Sequence, residues 1–119
     1  MLTVLVADDE FANLETISAA LQGVGHRVFR AGDGIDALRI LTSHRVDVVV
    51  ADEQMSGLRG SQLIDAMHAE PRFRGIPVIL MVDPFGRRAP LAVDATIVHK
   101  PVLIPQLLAM VEQVHGTAT

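Results

Sequence analysis

Apolar residues fall into two kinds of run along this chain. Four runs are short and nearly unbroken: LTVLVA (2–7), DVVVA (47–51), IPVILMV (76–82) and ATIV (95–98). A strand wetted on one face alternates apolar and polar residues, so unbroken runs predict strands covered on both faces, as in a parallel sheet. A weaker run, RVFRA (27–31), follows Gly23 and Gly25 and fits an outer strand. Between the runs, apolar residues recur at helical spacing. Phe11, Leu14, Ile17 and Leu21 form one stripe, with Gly23 as a helix stop. Ile35, Leu38 and Leu41 form a second, opened by Asp33 as an N-cap. Leu63, Ile64 and Met67 form a third after Ser61, and Leu103, Leu107, Val111 and Val114 form the last before Gly116. Strands alternating with helices predict an α/β fold, a doubly wound parallel sheet with helices on both faces.

One segment breaks the alternation. DPFGRRAPLAVD (83–94) stands where a helix between the fourth and fifth strands belongs, yet it contains Pro84, Gly86 and Pro90. These shorten or distort a helix, so one or two turns are expected. No repeat, low-complexity run or linker interrupts the chain. It therefore reads as one domain over 2–116, with a frayed tail at 117–119 and no output domain visible.

Composition sharpens this picture. Half of the 119 residues are hydrophobic, almost all aliphatic, with four Phe and neither Trp nor Tyr, which suits a Val/Ile/Leu sheet core. A net charge of −4 and a pI near 5.6 argue against a broad surface for nucleic acid or anionic membrane. The absence of cysteine excludes disulfides, thiolate nucleophiles and Cys-based zinc sites. The N-terminus lacks a signal-peptide pattern and no apolar run is long enough to span a bilayer, so a cytoplasmic location is expected.

The acidic residues carry the chemistry. In an open α/β sheet, ligands bind outside the carboxyl ends of the strands. The first predicted strand runs into Asp8 and Asp9, the third into Asp52, the fourth into Asp83 and the fifth into Lys100. Two carboxylates about 6 Å apart repel by roughly 3 kcal/mol at an effective dielectric near 20. Such a cluster calls for a cation, and oxygen ligands favour a hard one such as Mg²⁺. A metal, an accessible carboxylate and a lysine together suit phosphoryl transfer onto the carboxylate.

VLVADDE, VDVVVADEQMSGLRG and VHKPV together resemble the receiver domain of two-component response regulators, and the resemblance covers essentially the whole chain. It implies a flavodoxin-like (βα)5 fold with strand order 2-1-3-4-5. It also implies that Asp52 accepts a phosphoryl group, that Asp9 holds Mg²⁺ directly and Asp8 largely through water, and that the Gln54 backbone carbonyl completes the protein ligands. Lys100 would contact the phosphoryl group, and the Lys100–Pro101 bond would be cis. The implied donor is a sensor histidine kinase or phosphotransfer protein, and the implied activity is signalling rather than turnover, with possible autodephosphorylation. Partner and output are otherwise open, direct nucleic-acid binding is not expected, and the chain is expected to be a monomer or weak homodimer.

The departures from that family pattern are local. Ser56 replaces the usual proline after the acceptor, a minor change. Val82 stands where the family keeps a Thr or Ser, Asp83 where it keeps a small residue, and Ile97 where it keeps Tyr or Phe. Valine has threonine's shape but no donor, and together with Ile97 it leads to the expectation that the usual Thr–Tyr coupling is absent. Asp83 either caps the short helix, the favoured expectation, or turns inward to oppose an arriving phosphoryl group. Two other functions stay open: a protein-interaction module independent of phosphorylation, and a Mg²⁺-dependent phosphatase. The latter lacks its second acid, since Gln54 stands two residues after Asp52. The histidines at 26, 44, 68, 99 and 115 read as surface or cap residues; Glu10 and Glu53 flank the acids and either tune metal affinity or, more simply, are solvent-exposed; Phe85, Arg87 and Arg88 read as either a docking patch or a basic loop.

Overall fold

The computed structural model describes residues 1–84 and 95–118. Five strands form one sheet: β1 (Thr3–Ala7), β2 (Arg27–Ala31), β3 (Val48–Asp52), β4 (Val78–Val82) and β5 (Thr96–His99). All pairings are parallel and the strand order is β2-β1-β3-β4-β5. The helices are α1 (Phe11–Gly23), α2 (Gly34–Ser43), α3 (Gly60–Ala69) and α4 (Ile104–Ala118). The distorted helix expected within 83–94, with Phe85, Arg87 and Arg88, lies outside the described residues from 85 onward.

The unbroken strands have the predicted cause. Leu5, Ala7, Val49, Ala51, Val78, Leu80 and Val82 pack on one face with residues of α2 and α3. Val4, Val6, Val48, Val50, Ile79 and Met81 pack on the other with residues of α1 and α4. With both faces covered, every position along β3 and β4 is buried and must be apolar until the strand ends. The weaker β2 run lies at the edge, where Arg27 and Arg30 face solvent or its margin.

The helix signals hold at most ends. Asp33 caps α2 through Oδ1, which accepts the Asp36 N–H at 2.7 Å. Helix α1 ends at Gly23, and the chain turns into β2 through Gly25 at φ +95°, a conformation that favours glycine. Gly116 does not end α4, which continues to Ala118, so the expected tail is helical at 117 and 118. One glycine in a last turn costs only about 1 kcal/mol relative to alanine.

Three residues of the predicted apolar stripes are not core. Phe11, Ile35 and Leu103 are 75%, 49% and 62% exposed. Each sits at or just before the start of a helix that follows a strand's carboxyl end. Each comes four residues after the last residue of its strand, Ala7, Ala31 or His99, where apolar spacing alone does not bury a side chain. His26 departs the other way and is buried. Its Nδ1 accepts the Leu2 N–H at 3.1 Å and its Nε2 faces Glu112 Oε1 at 3.2 Å, tying β1 to α4. No helix among the described residues is long and apolar enough to cross a membrane.

Candidate functional site

Parallel pairing in near-level register brings the carboxyl ends of the strands to one edge. Ala7 pairs with Ala51, Asp52 with Met81, and Val82 with His99. The next residues along β1, β4 and β5 are Asp8, Asp83 and Lys100, so the sheet places three acids and a lysine around one crevice. Lys100 is aimed there by its own backbone, whose N–H donates to the Val82 carbonyl at 2.8 Å. The Lys100–Pro101 peptide is cis, as the resemblance implied.

Asp52 is the centre of this group. It is 3% exposed, and both oxygens are engaged. Oδ2 accepts Lys100 Nζ at 2.6 Å, and Oδ1 accepts the Gln54 N–H at 3.0 Å. Burial alone would lower the Lys100 pKa. The hydrogen bond to Asp52 and the charges of Asp52, Asp83 and Asp8 outweigh it and hold the ammonium above its ordinary value.

Asp8 differs from Asp52 in lacking a cationic partner of its own. It is 1% exposed. Oδ1 accepts the Glu10 N–H at 2.9 Å, whereas Oδ2 is buried without any hydrogen-bond partner. Burial, opposed by the Glu10 hydrogen bond and reinforced by the charge of Asp52, raises its pKa to about 6. A buried, orphaned carboxylate oxygen beside a second buried carboxylate is the donor set a hard divalent cation satisfies. The residues therefore fit Mg²⁺.

Asp9 is arranged differently from its neighbour. It is exposed, and Oδ2 accepts the Ser56 N–H at 3.1 Å, bracing the loop after β3. Among the described residues, no three acidic or imidazole groups already stand together as a closed metal cage. A cavity of about 240 Å³ opens beside the site, walled by Asp8, Asn13, Thr16, Lys100 and Pro101. Asn13 and Thr16 carry no signal in the sequence; the α1 turn alone brings them to the crevice.

On the β4–β5 side, Val82 is buried at the end of its strand and Ile97 is half-buried against the same apolar cluster. The Asp83 carboxylate faces inward, with Oδ1 3.9 Å from Lys100 Nζ, and remains half-exposed. The expected capping of a following helix falls on residues outside those described. Glu53 corrects its expectation outright: it is 2% exposed and turned away from the acids toward α3. Glu10 is exposed as expected.

Comparison with known proteins agrees with this geometry. The family model described as response regulator receiver domain matches residues 4–112. The probable transcriptional regulatory protein TcrX of Mycobacterium tuberculosis is 37% identical over 79 residues, which are 66% of this chain and 33% of TcrX. The chain thus spans about a third of that relative's length. Protein PilH of Pseudomonas aeruginosa is 31% identical over 81 residues, 68% of this chain and 67% of PilH. Among solved structures, the receiver domain of sensor histidine kinase PA1611 from Pseudomonas aeruginosa superposes with a TM-score of 0.85 at 23% identity. The match covers 97% of this chain and 98% of that one, whose structure carries a magnesium ion coordinated in its active-site cleft.

Proposed function

The chain belongs to the response regulator receiver domain family, and from that premise we propose that Asp52 is its phosphoryl acceptor in two-component signalling. The observation that carries the reading is the buried Asp52–Lys100 pair at 2.6 Å beside the orphaned Asp8 oxygen. The donor is a phosphohistidine of a sensor kinase or phosphotransfer protein, and the reaction runs in the cytoplasm, where such donors are charged from ATP. An Asp52 oxygen attacks phosphorus, the phosphorus–nitrogen bond breaks, and the leaving imidazole takes its proton from solvent.

The chain's own groups prepare that step. Lys100 neutralises charge on the transferred group, and the Gln54 N–H orients the attacking carboxylate. Asp8, Asp52 and the Gln54 carbonyl would hold Mg²⁺, with Asp9 as a further ligand once it leaves Ser56. Bound there, Mg²⁺ supplies charge neutralisation for the phosphoryl oxygens. Slow hydrolysis of the acyl phosphate would reset the domain, which makes it a signalling acceptor rather than a turnover enzyme. Val82 and Ile97 present no hydroxyl to the site, so the phosphorylated state is read by partner proteins without the family's usual Thr–Tyr coupling.

The test is to incubate the protein with acetyl phosphate, or with beryllofluoride, in the presence of Mg²⁺. Wild type is expected to form a Mg²⁺-dependent adduct, and Asp52→Asn to lose it at least a hundredfold. An adduct of equal yield in Asp52→Asn, or none in wild type, refutes the assignment.

A further inference from the structure

Among the described residues, Glu53 is the one buried carboxylate of this edge that phosphoryl acceptance leaves unused. Both of its oxygens serve a single residue eight positions on. Oε1 accepts the Ser61 N–H at 2.7 Å and Oε2 accepts the Ser61 hydroxyl at 2.9 Å. Its backbone is engaged as well: the N–H donates to the Met81 carbonyl at 2.9 Å, and the carbonyl accepts the Gly60 N–H at 3.2 Å. Glu53 thereby joins the two ends of the loop that leaves Asp52 and enters α3.

A side chain that only capped α3 would not need this placement. Serine, threonine or asparagine at the N-cap position satisfies helix N–H groups without burying a charge. Here the N-cap position is held by Arg59, whose side chain accepts no bond from the helix, and the anion comes instead from the residue next to the acceptor. The positive end of the α3 dipole and two short hydrogen bonds repay part of the cost of burying it.

The clamp also reaches the acceptor itself. A Cβ added at Gly60 would stand 2.6 Å from the Asp52 carbonyl oxygen, so the far end of the loop packs directly on the acceptor's backbone. Inside the closed loop are Gln54, whose N–H bonds Asp52, and Ser56, whose N–H bonds Asp9. Both donors thus lie on the segment whose two ends Glu53 joins.

We propose that Glu53 is a positioning residue for phosphoryl acceptance: by clamping the loop from Asp52 to Ser61 shut, it sets the Gln54 amide on Asp52 and presents the Gln54 carbonyl to Mg²⁺. The proposal rests on Asp52 being the acceptor. Glu53→Gln can still accept the Ser61 N–H and donate to the Ser61 hydroxyl, whereas Glu53→Ala can do neither.

Three quantities test it: Mg²⁺ affinity by titration of amide shifts, phosphorylation rate with acetyl phosphate, and hydrogen exchange of the Gln54 amide without Mg²⁺. Glu53→Ala is expected to weaken Mg²⁺ at least tenfold, slow phosphorylation comparably below saturation, and speed Gln54 exchange at least tenfold. Glu53→Gln is expected to stay within threefold of wild type in all three. A folded Glu53→Ala protein within twofold of wild type overturns the proposal, as does a Glu53→Gln protein as impaired as Glu53→Ala. If Glu53→Ala does not fold, Ser61→Ala decides. It removes only the Oε2 partner and should weaken Mg²⁺ about threefold, so an unchanged affinity overturns the clamp. Failure of wild type to form an Asp52-dependent adduct is a separate result, and it sinks the acceptor reading instead.

Discussion

The two halves of the crevice solve opposite problems. On the β1–β3 side, buried charge is held ready: Asp52 is paired with Lys100, and Asp8 is left with an oxygen that nothing satisfies. On the β4–β5 side, Val82 and Ile97 are apolar, and Asp83, the one acid among the described residues there, is half-exposed with Oδ1 3.9 Å from Lys100 Nζ. The first half stores electrostatic strain that a cation relieves. The second stores almost none, and so has little with which to register that the site has been filled. With Asp52 as the proposed acceptor, chemistry and readout are expected to be separable, and substitutions on the two sides test that.

The largest effect is expected at Asp8. Burial pushes its carboxyl from the ordinary value of 3.8 up to about 6. An acid whose pKa rises on folding binds its proton more tightly in the native state. Its favourable contribution is therefore complete below about pH 4 and is lost as pH rises through about 6. That rise in pKa corresponds to roughly 3 kcal/mol. Asp8→Asn should accordingly stabilise the Mg²⁺-free protein at pH 7.5 by up to about 3 kcal/mol, while abolishing the stabilisation that Mg²⁺ confers on wild type. Denaturant midpoints at pH 4.5 and 7.5, with and without Mg²⁺, read both effects. A destabilised Asp8→Asn protein at pH 7.5 would show that the carboxylate is not strained.

These residues also mark how far the sequence could be read. The acids were legible because each follows an unbroken apolar run, and a buried parallel strand admits no carboxylate before its end. The parallel sheet and its shared carboxyl edge follow from the same alternation of strands and helices, whereas the strand order came from the family resemblance alone. Phe11, Ile35 and Leu103 were misplaced because helical spacing identifies a face without showing which of its residues are buried. Glu53 and His26 were misread for a different reason. Each is buried by a partner outside its own element, Ser61 across a loop in one case and Leu2 with Glu112 far along the chain in the other, and no periodic pattern announces such a pairing.

An intermediate effect is expected at Asp83. Its carboxylate shares Lys100 with Asp52, and a phosphoryl group on Asp52 would add negative charge beside it. Half-exposed, it is screened, and a contribution of about 1 kcal/mol corresponds to roughly a fivefold change in an equilibrium. Asp83→Asn should tighten beryllofluoride binding about three- to tenfold at low salt, with the gain shrinking in 0.5 M salt as screening replaces the substitution. A gain that does not depend on salt would point to packing rather than charge.

The smallest effect on chemistry, and the sharpest on the comparison, is expected at Val82. Threonine has nearly the same shape, so Val82→Thr places a hydroxyl at the end of β4, one residue beyond the partner of Asp52. Burying that hydroxyl should cost about 1–2 kcal/mol of stability. Mg²⁺ affinity and phosphorylation rate should stay within twofold of wild type, because neither Asp8 nor Lys100 is touched. The difference should appear in the spread of amide shifts on adding beryllofluoride. In wild type the shifts should centre on the β1–β3 side and fade before Ile97; in Val82→Thr they should extend into β5, because the site then has a donor that moves when it is filled. If wild-type shifts already reach β5 as strongly as those of the variant, the apolar half transmits the signal through packing, and charge and readout are coupled after all.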